Sequence, residues 1–188
     1  MAILDNPNNP VSESSVPFWP TALRFGLIGG LVFVAYSLIA NLLGFSIPTS
    51  LGKMALQFLL SITITVLIIV FTVRQHRDQE LGGYITFGRA FLVGFVALLI
   101  ASVINSLFSM LYMTVIDPGF AEAAIEGTEE MMRSMGLDDE AIEKAMEDTR
   151  DRMNPTSMVT QALIWGSVMS AIFAAIVGAI MKKQAPVV

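Results

Sequence analysis

The sequence predicts an all-α fold: an integral membrane four-helix bundle with an acidic extramembrane helical hairpin between the third and fourth spans. Of its 188 residues, 54% are hydrophobic and only 14% are charged. A helix needs about 20 mainly apolar residues to cross a hydrocarbon core, and four stretches of at least that length contain no Asp, Glu, Lys or Arg. They cover residues 25–52, 54–73, 90–116 and 153–181.

Local signals place the ends of each span. Proline and small polar residues at 47–50 separate the first two spans, because proline lacks the amide hydrogen that a helix interior uses. Charge begins abruptly at Arg74, Thr86 is predicted to be the N-cap of the third span, and Lys182 follows the fourth. On these signals the spans cover residues 23–45, 54–73, 87–116 and 157–181.

The regions outside the spans are short at both ends of the chain. Residues 1–20 contain no Lys or Arg, and we expect them to form a flexible tail. Residues 184–188 are expected to form a C-terminal tail, and residues 21–183 a single membrane domain.

The insert at residues 117–155 carries most of the acidic charge. Residues 117–152 hold 12 of the 16 acidic and 4 of the 11 basic residues, a net charge of −8. Asp117 and Asp138 are predicted N-caps of two amphipathic helices that are separated at Gly136. Their apolar stripes could pack on the bundle, lie on the bilayer or bind a partner. Three charge pairs at four-residue spacing support these helices: Glu129 with Arg133, Glu140 with Lys144, and Asp148 with Arg152.

Catalytic and metal-binding patterns are missing from the sequence. It has no cysteine, and its one histidine, His76, cannot alone build a multi-histidine metal site. We expect His76 to be a solvated loop residue. We therefore expect no enzyme activity, no catalytic or metal-binding residue, no cofactor and no nucleic-acid partner.

Uncharged polar residues within the spans allow two interpretations. Hydrogen bonding between helices is their usual task. The alternative is that they line a polar cavity for a solute. Ionisable groups, which usually mark ion or substrate paths, are missing from the span interiors, which argues against a proton- or sodium-coupled transporter. The residues concerned are Asn41, Gln57, Ser102 and Asn105.

Small residues at four-residue spacing predict close helix packing. The contact could lie within one bundle or between two copies of the chain, and the sequence does not separate these alternatives. The candidate packing residues are Gly26, Gly30, Ala90, Gly94, Gly166, Ser170, Ala174 and Gly178.

Basic residues concentrate near the span ends on the side that holds both termini. The positive-inside rule therefore favours cytoplasmic termini and a periplasmic insert. Four residues there are candidate interface or lipid-headgroup contacts, because arginine pairs with lipid phosphate and tyrosine favours the interface; for the arginines, topology signalling alone is the alternative. They are Arg74, Arg77, Tyr84 and Arg89.

The stretch LGGYITFGRAF at residues 81–91 carries a family resemblance. With Asp117-Pro118-Gly119-Phe120, the acidic insert and Asn154-Pro155 before the last span, it resembles the bacterial domain-of-unknown-function 4199 family over about residues 21–183. The resemblance implies a small four-span protein of the bacterial inner membrane, with no established activity or functional residue.

These observations lead to two functional hypotheses. The first is a structural or accessory protein that presents the acidic hairpin to a partner. The second is a small channel or transporter-like protein for a small or lipid-like solute. Membrane lipid is the expected partner of either, with a second copy or another membrane protein as further candidates.

Overall fold

The computed structural model describes residues 12–47 and 49–184. Residues 1–11 of the predicted N-terminal tail (1–20) and residues 185–188 of the predicted C-terminal tail (184–188) lie outside the described residues. Within the described part, the fold is all-α and contains no strand; the extended backbones of Ile85 and Lys183 form an isolated antiparallel bridge. The helices are α1 (Trp19–Leu42), α2 (Leu51–Gln75), α3 (Phe87–Leu111), α4 (Phe120–Ser134), α5 (Asp139–Met153) and α6 (Pro155–Met181).

Four of these helical segments are long and apolar enough to cross a membrane. Two of them gain length because a π-helical turn continues the α-helix: His76–Glu80 after α2, and Tyr112–Ile116 after α3. The predicted number of apolar spans is confirmed. The candidate spans are Trp19–Leu42, Leu51–Glu80, Phe87–Ile116 and Val159–Met181.

Several helix ends follow the predicted local chemistry. The Thr86 hydroxyl accepts a hydrogen bond from the Arg89 amide at 3.3 Å, as expected of the N-cap of α3. Asp138 caps α5 by accepting from the Ala141 amide at 2.8 Å. Gly136 follows α4 with a φ of +76°, a conformation that favours glycine. These three predictions are confirmed.

The predicted start of the first insert helix is wrong. Asp117 does not cap it; α4 begins at Phe120, and its N-cap residue Gly119 has no side chain to accept a hydrogen bond. Asp117 instead closes the preceding π-helical turn, where its amide donates to the Tyr112 carbonyl at 2.8 Å. Two turn residues, Pro118 and Gly119, separate it from the first residue of α4.

The structure consists of two compact units. In the described chain, unit 1 combines residues 12–29, 65–101 and 167–184. Its core is tightly packed, with Ile69, Val93 and Ala174 completely buried. Unit 2 combines residues 30–64 and 102–166 and contains α4 and α5.

In unit 2, α4 and α5 contact each other, and each helix has buried apolar residues. Met131 of α4 and Ile142 and Met146 of α5 are buried. Arg133 reaches Glu129 at 3.0 Å, as predicted, and also Asp139 at 3.0 Å. Hydrogen bonds to Glu129 and then Asp139 raise the pKa of Arg133 above its ordinary value.

Candidate functional site

Unit 1 contains a buried polar cluster at the end of the second span. His76, on the π-helical turn, has no exposed surface. Its Nε2 atom accepts a hydrogen bond from Arg89 Nε at 3.0 Å, and its Nδ1 atom lies 2.8 Å from a carboxylate oxygen of Glu80. The Thr21 hydroxyl donates to the other Glu80 oxygen. We call Thr21, His76, Glu80 and Arg89 the histidine network.

The partners of His76 determine its tautomer. An arginine Nε–H can only donate, so Nε2 of the ring must accept. The ring proton then resides on Nδ1 and is donated to Glu80. The imidazole in this arrangement is neutral and bridges a cation and an anion.

The prediction that His76 is a solvated loop residue is therefore wrong. The helical path continues past Gln75 through the π-helical turn, which keeps His76 on the side of the buried residues Ile69, Thr72 and Val73. Spacings of three and four residues connect these positions, as on one face of a helix. This periodicity is present in the sequence and could have indicated that His76 is buried. The charged residues after Val73 instead indicated the end of the span.

The segment before α1 packs against the start of α3. The Glu13 carboxylate accepts from the Thr86 amide at 2.6 Å and from the Thr86 hydroxyl at 2.7 Å. The Val16 carbonyl accepts from Arg89, whose guanidinium carbon lies 5.3 Å from the centre of the Phe18 ring. Sequence reasoning missed these contacts because nothing local in the tail distinguishes Glu13 from a solvated acid.

The structure also places the other predicted interface residues in unit 1. Arg77 pairs with Asp78 at 2.7 Å and donates to the Met181 carbonyl at 3.3 Å. Arg74 is largely exposed and lies 3.5 Å from the same Asp78 carboxylate. The Lys183 ammonium lies 5.3 Å from the centre of the Tyr84 ring. Headgroup binding by these residues stays a prediction.

The glycine pair of the family-like stretch allows this part of the chain to turn. Gly82 and Gly83 have φ values of +65° and +91°, which side chains with a Cβ rarely adopt. The Gly83 amide donates to the Arg77 carbonyl at 2.8 Å. The turn leads from the π-helical turn to Thr86 and so positions Arg89 beside His76.

The predicted small residues lie where helices approach each other within the chain. A Cβ built on Gly26 would lie 2.9 Å from the Ala97 carbonyl oxygen, and one on Gly178 would lie 3.2 Å from the Phe91 nitrogen. Gly30, Gly94 and Gly166 are similarly close to side chains of Ile104, Ile69 and Ser102. The remaining three, Ala90, Ser170 and Ala174, are buried.

Unit 2 contains a cavity of about 540 Å³. It is formed mainly by the end of α1, the first part of α2 and the end of α3 with its π-helical turn. Two of the four polar residues predicted for a solute cavity, Asn41 and Gln57, line it. Among the described residues, the lining consists of Tyr36, Ser37, Ala40, Asn41, Ser46, Met54, Gln57, Phe58, Ser61, Phe108, Ser109, Tyr112, Met113 and Phe120.

The other two predicted polar residues are not part of the lining. Asn105 accepts a hydrogen bond from the Ser37 hydroxyl at 3.3 Å, and Ser102 lies beside Gly166. Sequence reasoning missed the aromatic residues of the cavity, because apolar rings in a span carry no sign of whether they face lipid or a cavity.

Some polar side chains around the cavity form hydrogen bonds within the protein, and others do not. The Tyr36 hydroxyl donates to the Gln57 carbonyl at 3.4 Å, and the Gln57 amide donates to the Phe45 carbonyl. The side chains of Asn41, Ser61 and Ser109 have no hydrogen-bond partner among the residues described. These groups are available to a bound molecule.

By length and composition, the four apolar segments are those of a multi-pass membrane protein. The chain belongs to the family described as protein of unknown function (DUF4199), whose model matches residues 24–183. The predicted family is thereby confirmed. No curated protein and no solved structure matches the chain.

Proposed function

We propose that this protein is a non-catalytic membrane protein that binds a small, lipid-like solute in the cavity of unit 2. The cavity carries the proposal, because its volume of about 540 Å³ is typical of sites for small ligands. Eight of the fourteen lining residues are aromatic, methionine or alanine, and six are serine, asparagine or glutamine. Apolar surface with polar groups that fix orientation is usual in such sites. Binding can serve transfer of the solute or its presentation to another membrane protein.

The lining chemistry supports binding over catalysis. Among the fourteen lining residues there is no Asp, Glu, Lys, Arg, His or Cys. General acid–base and nucleophilic mechanisms ordinarily use such groups. The free hydroxyls and amide of Ser61, Ser109 and Asn41 instead suit hydrogen bonding to a ligand.

A substitution that fills the cavity with a larger side chain tests whether the cavity binds the solute. Ser109→Phe places a ring in the cavity, whereas Leu111→Phe changes an exposed position of the same helix and serves as the matched control. After purification in mild detergent, mass spectrometry should find an amphiphile bound to the wild type and to the control. The Ser109→Phe variant should retain about tenfold less. Equal retention by all three proteins would exclude the cavity as the site.

A second candidate function is that of an accessory protein that presents the acidic helices to a partner. The observation in its favour is that α4 and α5 bury Met131, Ile142 and Met146, while most of their exposed charged residues are acidic. Glu140, Glu143 and Glu147 are exposed on α5. Such a surface suits a basic partner, either another membrane protein or a second copy of this chain.

Charge neutralisation tests this second candidate. The triple variant Glu140→Gln, Glu143→Gln and Glu147→Gln keeps side-chain size and removes three negative charges. Crosslinking in native membranes should capture the partner with the wild type and not with the variant. Unchanged capture would rule out recognition through this surface.

A further inference from the structure

The class of solute follows from the charges and hydrogen-bonding groups around the unit 2 cavity. Since none of the fourteen described lining residues carries a formal charge at neutral pH, a phosphate or ammonium group inside would find no counter-charge among them. Burying an unpaired ion is strongly unfavourable. The part of the solute inside the cavity is therefore uncharged.

The free polar groups indicate what that part carries instead. Ser61 and Ser109 offer hydroxyls that can both donate and accept, and the Asn41 amide can do the same. They come from three different helices, α2, α3 and α1, so hydrogen bonds can reach a ligand from several directions. Hydroxyl and ester groups satisfy such a set without any charge.

The apolar lining is suited to an alkyl chain. The rings of Phe108 and Tyr112 have centres 6.2 Å apart, and Tyr112 meets Phe120 edge-on at 5.5 Å. Two methionines, Met54 and Met113, also belong to the lining. Aromatic rings supply large apolar area, and methionine adapts to flexible chains.

The cavity extends from helix ends into the spans. Met54 lies in the first turn of α2 and Tyr112 directly follows α3, whereas Ser61 lies ten residues after the start of α2. This extent along the helices suits an elongated molecule.

We infer that the cavity binds a neutral acylglycerol-type lipid, with a hydroxyl- and ester-bearing head and an alkyl chain. The inference rests on the proposed function and specifies its solute. It excludes lipids that must place a phosphate in the cavity.

Two photoreactive probes test the inference. One is a monoacylglycerol with a diazirine in its acyl chain, and the other is the matching lysophosphatidic acid, which differs only by the phosphate. The full chain in nanodiscs is labelled with each, and the labelled peptides are mapped. Labelling of cavity residues such as Phe58 and Tyr112 by the neutral probe should exceed labelling by the phosphate probe about tenfold.

The outcomes separate this inference from the proposed function. Equal or stronger cavity labelling by lysophosphatidic acid would overturn the neutral-lipid inference and leave the cavity as a lipid site. Labelling of the cavity by neither probe, while lipid-facing residues are labelled, would overturn both.

Two variants make the comparison more stringent. Ser61→Lys supplies a counter-charge and should reverse the preference towards the phosphate probe. Asn41→Leu removes a free amide and should lower labelling by the neutral probe about tenfold without raising labelling by the other. A Ser61→Lys protein that stays folded and keeps the wild-type preference would contradict the inference, as would undiminished neutral labelling of Asn41→Leu.

Discussion

In the histidine network, one buried residue, His76, contacts two charged side chains, those of Arg89 and Glu80. Arg89 and Glu80 do not pair directly in this network; a neutral imidazole receives a hydrogen bond from the first and lies within hydrogen-bond distance of the second. His76 is one of two hydrogen-bond partners of each, beside the Thr21 hydroxyl for Glu80 and the Val16 carbonyl for Arg89. A side chain of similar size without nitrogen would leave both groups incompletely satisfied, and such groups are costly when they are shielded from water.

Replacing His76 should destabilise the protein. His76→Phe keeps a ring but removes both hydrogen bonds, and we expect a loss of about 2–4 kcal/mol in the free energy of unfolding. Thermal unfolding in detergent, monitored by far-ultraviolet circular dichroism, gives the measurement as a lowered melting temperature.

The matched control for His76 is an exposed charged residue nearby. Arg74→Gln removes an ion pair in which the arginine side chain is 67% exposed, and such pairs contribute about 0–1 kcal/mol. A His76→Phe protein that melts at the same temperature as Arg74→Gln would show that the network adds nothing to stability.

At the scale of helices, local chemistry predicted the starts of α3 and α5 correctly and the start of α4, which follows a π-helical turn closely, wrongly. Thr86 and Asp138 cap helices as expected because an N-cap needs only one side chain and a nearby amide. Asp117 did not, because α4 begins three residues later, at Phe120, after the π-helical turn that Asp117 closes. π-helical turns have no sequence signature comparable to a cap, so the turn that buries His76 was equally unforeseen.

Two glycines of α3, Gly94 and Gly88, differ in the free space around them, and this difference gives a testable prediction. A Cβ on Gly94 would lie 2.8 Å from Ile69 Cγ2, and Ile69 is completely buried, so it cannot move aside freely. Around Gly88 a Cβ would meet nothing within 4 Å. We expect Gly94→Ala to destabilise by about 1–3 kcal/mol, as overpacked cores do.

Gly88→Ala serves as the control for that substitution. Alanine is about 0.8–1.0 kcal/mol more favourable than glycine inside a helix, so this variant should be neutral or slightly stabilised. Melting temperatures of the two variants in the same detergent make the comparison. Equal melting temperatures would mean that α3 does not approach Ile69 as closely as the structure shows.

For the whole molecule, the sequence was more informative about membrane spans than about the candidate site. Four apolar segments follow from composition alone, because lipid as a solvent demands them. The cavity depends on how each helix is rotated, which hydropathy does not encode when all faces are apolar. Asn41 and Gln57 were therefore found as polar exceptions, whereas Phe58 and Tyr112 were not.

The arrangement of the whole chain across the membrane is a further prediction. Arg74, Arg77 and Arg89 lie near span ends on the side assigned to both termini, and Lys182 and Lys183 follow the last span. The other side has fewer basic residues close to its span ends. By the positive-inside rule, the termini should be cytoplasmic and the acidic insert periplasmic.

Because the chain contains no cysteine, single cysteines can report this orientation without background. Glu143→Cys and Gln184→Cys place a thiol at exposed positions of α5 and of the C-terminal end. In intact spheroplasts, a membrane-impermeant maleimide should label the first and reach the second only after lysis. The reverse pattern would invert the topology and place the acidic helices, with any partner they bind, in the cytoplasm.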